Sequence, residues 1–278
     1  MDNSLYLILL LPALYLGGWI MWYLRFNGIP EDTPKIISFH KISNKPELGG
    51  TFCTVGQFKS YMDYIAGHDY STVSLDRLIE ERKDKEIAVF FDDAYEDIYE
   101  KAYPIMQDRQ LKGVLCPVAG FIGRKNNWDR GPGSFRHMDR RQILELSEAG
   151  FDIVSHSMTH PDLRKLPAGE LMREVSHSKQ ILEDMTGRNI DYFIYPYGLY
   201  NKRVKHAVKK AGYKAAFTSY NQNNAVFDRF AIGRNTMYII DSVIDLKIIM
   251  NRGPLFCYGH EEAKGRIINW FARFSRTI

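Results

Sequence analysis

From Lys35 onward the chain alternates short β-branched or aromatic runs with amphipathic helical stretches, and this alternation constrains its fold more than any other feature. KIISFH, STVSL, IAVFF, KGVLCPVA, FDIVSH, DYFIYPYG and YKAAFTS read as strands. Between the first two, TVGQFKSYMDYIAGH sets Val55, Phe58, Tyr61, Met62 and Ile65 at helical spacing behind Thr54 as N-cap. SLDRLIEERK predicts a helix from near Ser74, and DIYEKAYPIMQDRQ one that is interrupted at Pro104. MDRRQILELSEAG carries Asp139 as N-cap, Gln142 to complete a capping box and Gly150 as its stop. AGELMREVSHSKQILEDMTG, ended by Gly187, NKRVKHAVKKAG and DSVIDLKIIMNRG supply the later helices. No repeat of fixed period is present. Repeated β–α units with short loops imply parallel strands, in an open sheet or a barrel, and both collect chemistry at the C-terminal ends of their strands.

The N-terminus has a different character. Ser4 to Leu24, SLYLILLLPALYLGGWIMWYL, holds no charge and is long enough to cross about 30 Å of hydrocarbon, with Trp19, Trp22 and Tyr23 where an aromatic belt sits. The basic n-region and small-residue cleavage site of a signal peptide are missing, so a retained single-pass anchor in contact with membrane lipid through residues 4–24 is expected. The expected domains are an anchor over 1–25, a linker over 26–34 and one globular domain over 35–278. Arg25, Lys35, Lys41 and Lys45 follow the span and none precedes it, which by the positive-inside rule puts the domain in the cytoplasm. Cys53, Cys116 and Cys257 are odd in number and far apart, against a disulfide framework or a structural zinc site. The mild excess of 37 Lys and Arg over 33 Asp and Glu forms no aromatic-interleaved basic patch, so a nucleic acid partner has no support.

Two strand ends carry chemistry. Asp92 and Asp93 close IAVFFDD, and His156 and His160 follow FDIV four residues apart. Taken alone each pair is weak: Asp93 could cap the next helix, and a HisxxxHis spacing arises by chance among eight histidines. Their shared position strengthens both, because a sheet or barrel rim brings strand ends together. Two carboxylates and two imidazoles are a ligand set for a hydrolytic metal, with one Asp free to act as base while the other ligates.

FFDDAYED, SHSMTHP and FIYPYG, in this order and spacing, resemble the motifs of the polysaccharide deacetylase family (the NodB homology domain, carbohydrate esterase family 4). Softer segments, ISFHKIS, VGQFKSYMDYIAGHDYSTVSL and AGYKAAFTS, extend the resemblance from about Lys35 to Arg252 and place it nearest the poly-N-acetylglucosamine de-N-acetylase branch. The resemblance implies an α/β fold, a distorted (β/α) barrel of about seven strands, here preceded by one N-terminal transmembrane helix. It implies Asp92 as the general base, Asp93, His156 and His160 as ligands of one divalent metal ion, commonly zinc, and the Tyr197 backbone N–H as an oxyanion donor. It also implies a His as the acid that protonates the leaving amine. His40 on the first strand is the favoured match; His260, in CYGHEEAKG, is the alternative but lacks a preceding strand pattern.

Two positions depart from the family. Ala94 replaces the usual Gly after the Asp pair, where a positive φ would strain it. Ile194 replaces the Arg that orients the base, and Arg234 in FAIGRNT is a candidate substitute. Trp128, in a polar Gly/Pro loop, is a candidate sugar contact, although aromatic residues near such motifs more often pack the rim. The expected activity is hydrolysis of N-acetyl groups from an amino-sugar glycan or its lipid-linked precursor. The alternatives are deformylation of a lipid-linked formamido sugar and a non-catalytic glycan-binding subunit of an export system. The resemblance favours an extracytoplasmic, bacterial-type cell-envelope location, against the charge rule.

Overall fold

Strand β5, Glu86–Asp93, is buried at all 8 positions, as a central strand covered on both faces must be. The computed structural model describes residues 33–44, 51–81, 83–128, 135–219, 227–251, 260–261, 264–266 and 268. Strand β1, Lys35–Phe39, pairs with β5 along its length, Lys35 opposite Ile87 and Phe39 opposite Phe91. On the far side of β5 lie β4 (Ser71–Thr72) and then β6 (Val114–Pro117), which pairs Asp92 with Cys116; β7 (Asp152–Ile153) follows β6. A second group orders β8 (Tyr192–Ile194), β9 (Ala215–Thr218) and β10 (Ile232–Gly233). Every one of these pairings is parallel. A separate parallel pair joins β2 (Lys41–Ile42) to β3 (Phe52–Cys53).

Two links close the strands into a ring. Ser155, just past β7, bridges to Phe193 of β8, its N–H donating to the Tyr192 carbonyl at 3.0 Å and its carbonyl accepting from the Ile194 N–H at 2.8 Å. At the other seam the chain leaves β9 as β10, passes Arg234, and joins β1 as β11 (Asn235–Thr236). Counting β10 and β11 as one interrupted stave, the barrel runs β1, β5, β6, β7, β8, β9, β10/β11 and back to β1.

Strand alternation sorts the core into two faces. Ile36, Ala88, Phe90, Cys116, Phe217 and Ile232 form one cluster, together with Leu75, Leu78 and Ile79 of the helix Leu75–Glu80. Ile37, Val89, Phe91, Leu115 and Phe193 pack instead with the surrounding helices. Asp92 keeps the parity of Ala88 and Phe90, so the alternation sends its carboxylate toward the barrel interior.

The expected caps are present. Thr54 and Gln57 form a capping box on the helix Val55–Gly67, and Asp139 and Gln142 one on Arg140–Glu148. Gly187 ends Ala168–Thr186 in the left-handed conformation at φ 66°. The helix interrupted at Pro104 is a π turn, Ile98–Ala102, running into an α segment, Tyr103–Gln107.

The single-pass membrane expectation is corrected. Among the described residues no helix is long and apolar enough to cross a membrane. The longest, Ala168–Thr186, has only a one-sided apolar stripe and carries Glu170, Arg173, Glu174, Lys179, Glu183 and Asp184. The span expected over residues 4–24 lies outside the described residues, and the membrane localisation and lipid contact drawn from it are withdrawn.

Candidate active site

The barrel rim brings the two sequence-distant pairs together. Asp93 Oδ1 lies 3.7 Å from His156 Nε2 and 3.6 Å from His160 Nε2, and all three side chains are buried. These distances are too long for hydrogen bonds. Two donors each about 2.0–2.2 Å from one ion stand roughly 3–4 Å apart, so the spacing is that of ligands sharing a cation. The His156 Nδ1 faces the Ile194 carbonyl at 3.2 Å; because a carbonyl only accepts, Nδ1 carries the proton and Nε2 presents its lone pair toward Asp93. Burial lowers the His156 pKa, partly offset by Asp93, which keeps the ring neutral as a ligand must be. An oxygen and two imidazole nitrogens therefore fit a divalent metal.

Asp92 is held differently. Arg234, 1% exposed, grips it with both forks: Nη1 donates to Oδ1 at 2.6 Å and Nη2 to Oδ2 at 3.0 Å. The guanidinium lies over the Phe90 ring and its Nε points at the Thr218 carbonyl at 3.4 Å. Burial opposes ionisation of Asp92, but Arg234 and then His40 outweigh it and hold the carboxyl down at about 2. His40 follows β1 directly, with Nε2 3.7 Å from Asp92 Oδ2. Ile194, where the family resemblance places an Arg, is buried in the interior core. The break between β10 and β11 supplies the cation from a neighbouring stave instead.

His260 is exposed, and its neighbour Glu261 belongs to another ionic group, with Asp241, Asp245 and Lys264. Tyr197 adopts φ 59° and sets its ring edge-on to His160 at 4.5 Å, while Trp128 stacks on His160 at 4.9 Å and 19°. The Trp128 indole N–H is buried and makes no hydrogen bond among the described residues.

Strain concentrates here. Of the seven non-glycine residues with positive φ among the described residues, Asp93, Ala94, Ser157, His160 and Tyr197 belong to this site. Ala94, at φ 52°, adopts the conformation that the missing Gly would favour. Two supporting residues carry no motif and were not identified from sequence. Glu174, on the helix Ala168–Thr186, accepts from the N–H groups of Met158 and Thr159, both at 2.9 Å, and from the Thr159 hydroxyl at 2.6 Å, pinning the loop between the two histidines. His137, 2% exposed, donates from Nδ1 to the Asp93 carbonyl at 2.7 Å. Neither is near a motif in sequence; an unexplained His two residues before the Asp139 cap was the one available signal.

The sequence model of the family described as polysaccharide deacetylase matches residues 79–216, about half of the chain, including Asp92, Asp93, His156, His160 and Tyr197. The chain belongs to the polysaccharide deacetylase family. It is 26% identical over 190 residues to the putative polysaccharide deacetylase YxkH of Bacillus subtilis, covering 66% of this chain and 63% of that protein. It is 24% identical over 193 residues to a poly-beta-1,6-N-acetyl-D-glucosamine N-deacetylase of Staphylococcus aureus, covering 63% of this chain and 64% of that one. The chain thus spans somewhat less than two thirds of the length of these curated relatives. Among solved structures, the Streptococcus pyogenes deacetylase PplD in complex with acetate superposes with a TM-score of 0.67 at 20% identity, over 78% of this chain and 98% of that one. IcaB from Ammonifex degensii gives 0.66 at 18% identity, over 81% and 98%. These neighbours share the barrel-like α/β fold. His40 and Arg234 fall outside the residues that the family model matches.

Proposed function

We propose that this chain, through a domain spanning 35–278, is a metal-dependent hydrolase that removes N-acetyl groups from an amino-sugar glycan. The observation that carries the reading is the pairing of a buried Asp93–His156–His160 ligand set with a neighbouring carboxylate, Asp92, whose two oxygens are fixed by Arg234.

A divalent ion held there, zinc being the common choice in the family, would polarise the amide carbonyl and acidify the attacking water. Asp92 takes the proton of that water. It is ionised across the neutral range, and Arg234 keeps its oxygens from turning away. His40 delivers a proton from Nε2 to the departing amine, and the Tyr197 backbone N–H stabilises the oxyanion. Both departures from the family fit the reading: Ala94 takes the left-handed backbone, and Arg234 pairs with Asp92 where an Arg is missing at Ile194.

The test is amine release from an N-acetylated β-1,6-linked glucosamine oligomer, with metal content measured on the same protein. That oligomer is the first choice because the S. aureus relative bears its name; a formylated analogue tests the acyl group. Asp92→Asn should abolish turnover and retain metal, whereas His160→Ala should lose metal. His40→Gln should lower kcat by about 10²–10⁴-fold with metal retained. A metal-free, inactive wild type, or equal activity in Asp92→Asn and His160→Ala, refutes the assignment.

A further inference from the structure

Asp93 and Ala94 are consecutive residues in the left-handed region, at φ 63° and 52°. Each such residue costs roughly 1–2 kcal/mol in backbone strain, so something outside the Asp93–Ala94 turn must hold it. The strand-like segment around His137 does so. The Asp93 carbonyl accepts from His137 Nδ1 at 2.7 Å, and the next carbonyl, that of Ala94, accepts from the Met138 N–H at 2.8 Å. The segment is itself anchored: His137 N–H donates to the Arg124 carbonyl at 2.9 Å, and the Arg136 carbonyl accepts from the Glu96 N–H at 2.8 Å. The His137 ring is clamped in place, stacked on Tyr95 at 4.7 Å and flanked by Trp128 at 5.2 Å.

We propose that His137 is a positioning residue for the metal site: its Nδ1–H fixes the Asp93 peptide in the left-handed conformation and so aims the Asp93 carboxylate at His156 and His160. The inference rests on the metal-site reading above and adds to it a residue outside the Asp93–His156–His160 ligand set. A backbone carbonyl can only accept, so the ring must carry its proton on Nδ1. Without that donor the peptide can relax toward a right-handed or extended conformation. Strand alternation would then return the Asp93 side chain to the parity of Val89 and Phe91, toward the surrounding helices and away from the rim.

The proposal is specific to one atom, which makes it testable. His137→Asn places an amide N–H at nearly the position of Nδ1; His137→Gln places it near Nε2; His137→Phe keeps a ring without a donor. Zn²⁺ affinity is measured by competition with a chromogenic chelator, with thermal melting to compare folding, and deacetylation is then read at saturating Zn²⁺. We expect His137→Asn to bind Zn²⁺ within about three-fold of wild type, and His137→Gln and His137→Phe to bind about 10–100-fold more weakly, as loss of an outer-shell partner does. Saturating Zn²⁺ should restore part of the lost turnover. Equal affinity in all three variants, or equal loss in Asn and Gln, overturns the proposal. A wild type that binds Zn²⁺ in this His137-dependent way but releases no amine refutes the deacetylase reading alone. A wild type that deacetylates with Zn²⁺, while its affinity ignores position 137, refutes the positioning role alone. A wild type that binds no Zn²⁺ refutes both.

Discussion

Replacing Arg234 with Met leaves a buried carboxylate with no close partner except His40, and the consequences for stability can be worked from the geometry. Both Asp92 oxygens are hydrogen-bonded to the guanidinium, and Asp92 and Arg234 are 2% and 1% exposed, so little water can compensate. Removing one partner of such a pair costs about 3–5 kcal/mol, chiefly the desolvation of the charge left behind. Part of that cost depends on pH. The folded Asp92 titrates at about 2 rather than 3.8, which contributes on the order of 2 kcal/mol of stability above the unfolded value, lost as pH falls through the folded one. In Arg234→Met the sign reverses. The uncompensated carboxyl then titrates above its unfolded value, and protonation favours the folded variant. The stability gap between wild type and Arg234→Met should therefore narrow between about pH 6 and pH 3. Urea unfolding in the presence of a chelator, which removes metal linkage, measures the gap. A double variant, Arg234→Met with Asp92→Asn, has no charge to strand and should be more stable than Arg234→Met alone. A single-variant cost below about 1 kcal/mol, a gap constant with pH, or strictly additive losses would show that the pair is not the coupled buried unit described here. Arg234→Lys should fall between wild type and Met, keeping the charge without the fork.

Other sites give sharper contrasts. Burial raises the Glu261 carboxyl to about 7 against the pull of Lys264, so its folded form holds a proton more tightly than its unfolded form. Stability from this group is present at low pH and declines as pH rises from about 4.5 to about 7. Urea midpoints should accordingly show Glu261→Gln gaining on wild type between about pH 5 and pH 8; a difference that is flat or opposite in sign contradicts the assignment. At two left-handed positions, opposite substitutions should behave unequally. Ala94→Gly relieves about 1–2 kcal/mol of backbone strain but forfeits about 0.8 kcal/mol of methyl burial and gains unfolded-state freedom worth up to about 1 kcal/mol, so thermal stability should move by less than about 1 kcal/mol. Gly198→Ala, at φ 65°, drives a Cβ to 2.6 Å from the Ser219 backbone nitrogen, which cannot rotate away. We expect a loss of about 2–4 kcal/mol and reduced turnover through the displaced Tyr197, read by melting and by amine release.

What the sequence reveals about this site depends on whether a residue acts through its own identity or through its surroundings. Asp92, Asp93, His156 and His160 are legible because side-chain chemistry and strand-end position coincide, and strand ends share one rim. The helix caps are legible because a capping box is a contract between residues three apart. Arg234 is recoverable only as a candidate, because its link to Asp92 spans the seam where β10 gives way to β11, and no local pattern records that closure. His137 and Glu174 are invisible for a related reason. Each acts on backbone groups of a distant loop, and a backbone carbonyl or N–H leaves no trace in residue identity. The apolar run over residues 4–24 shows the converse limit: it satisfies a length and hydropathy rule, and that rule states what a segment is long enough to do. The strained residues join these cases. Asp93, Ala94, Ser157, His160 and Tyr197 hold conformations their own sequence disfavours, and at Asp93 and Ala94 the partners, His137 and Met138, are remote in sequence. Local rules fail where the barrel aims its functional groups. That makes a positive-φ Ala beside two buried carboxylates more informative about the site than the motif that contains it.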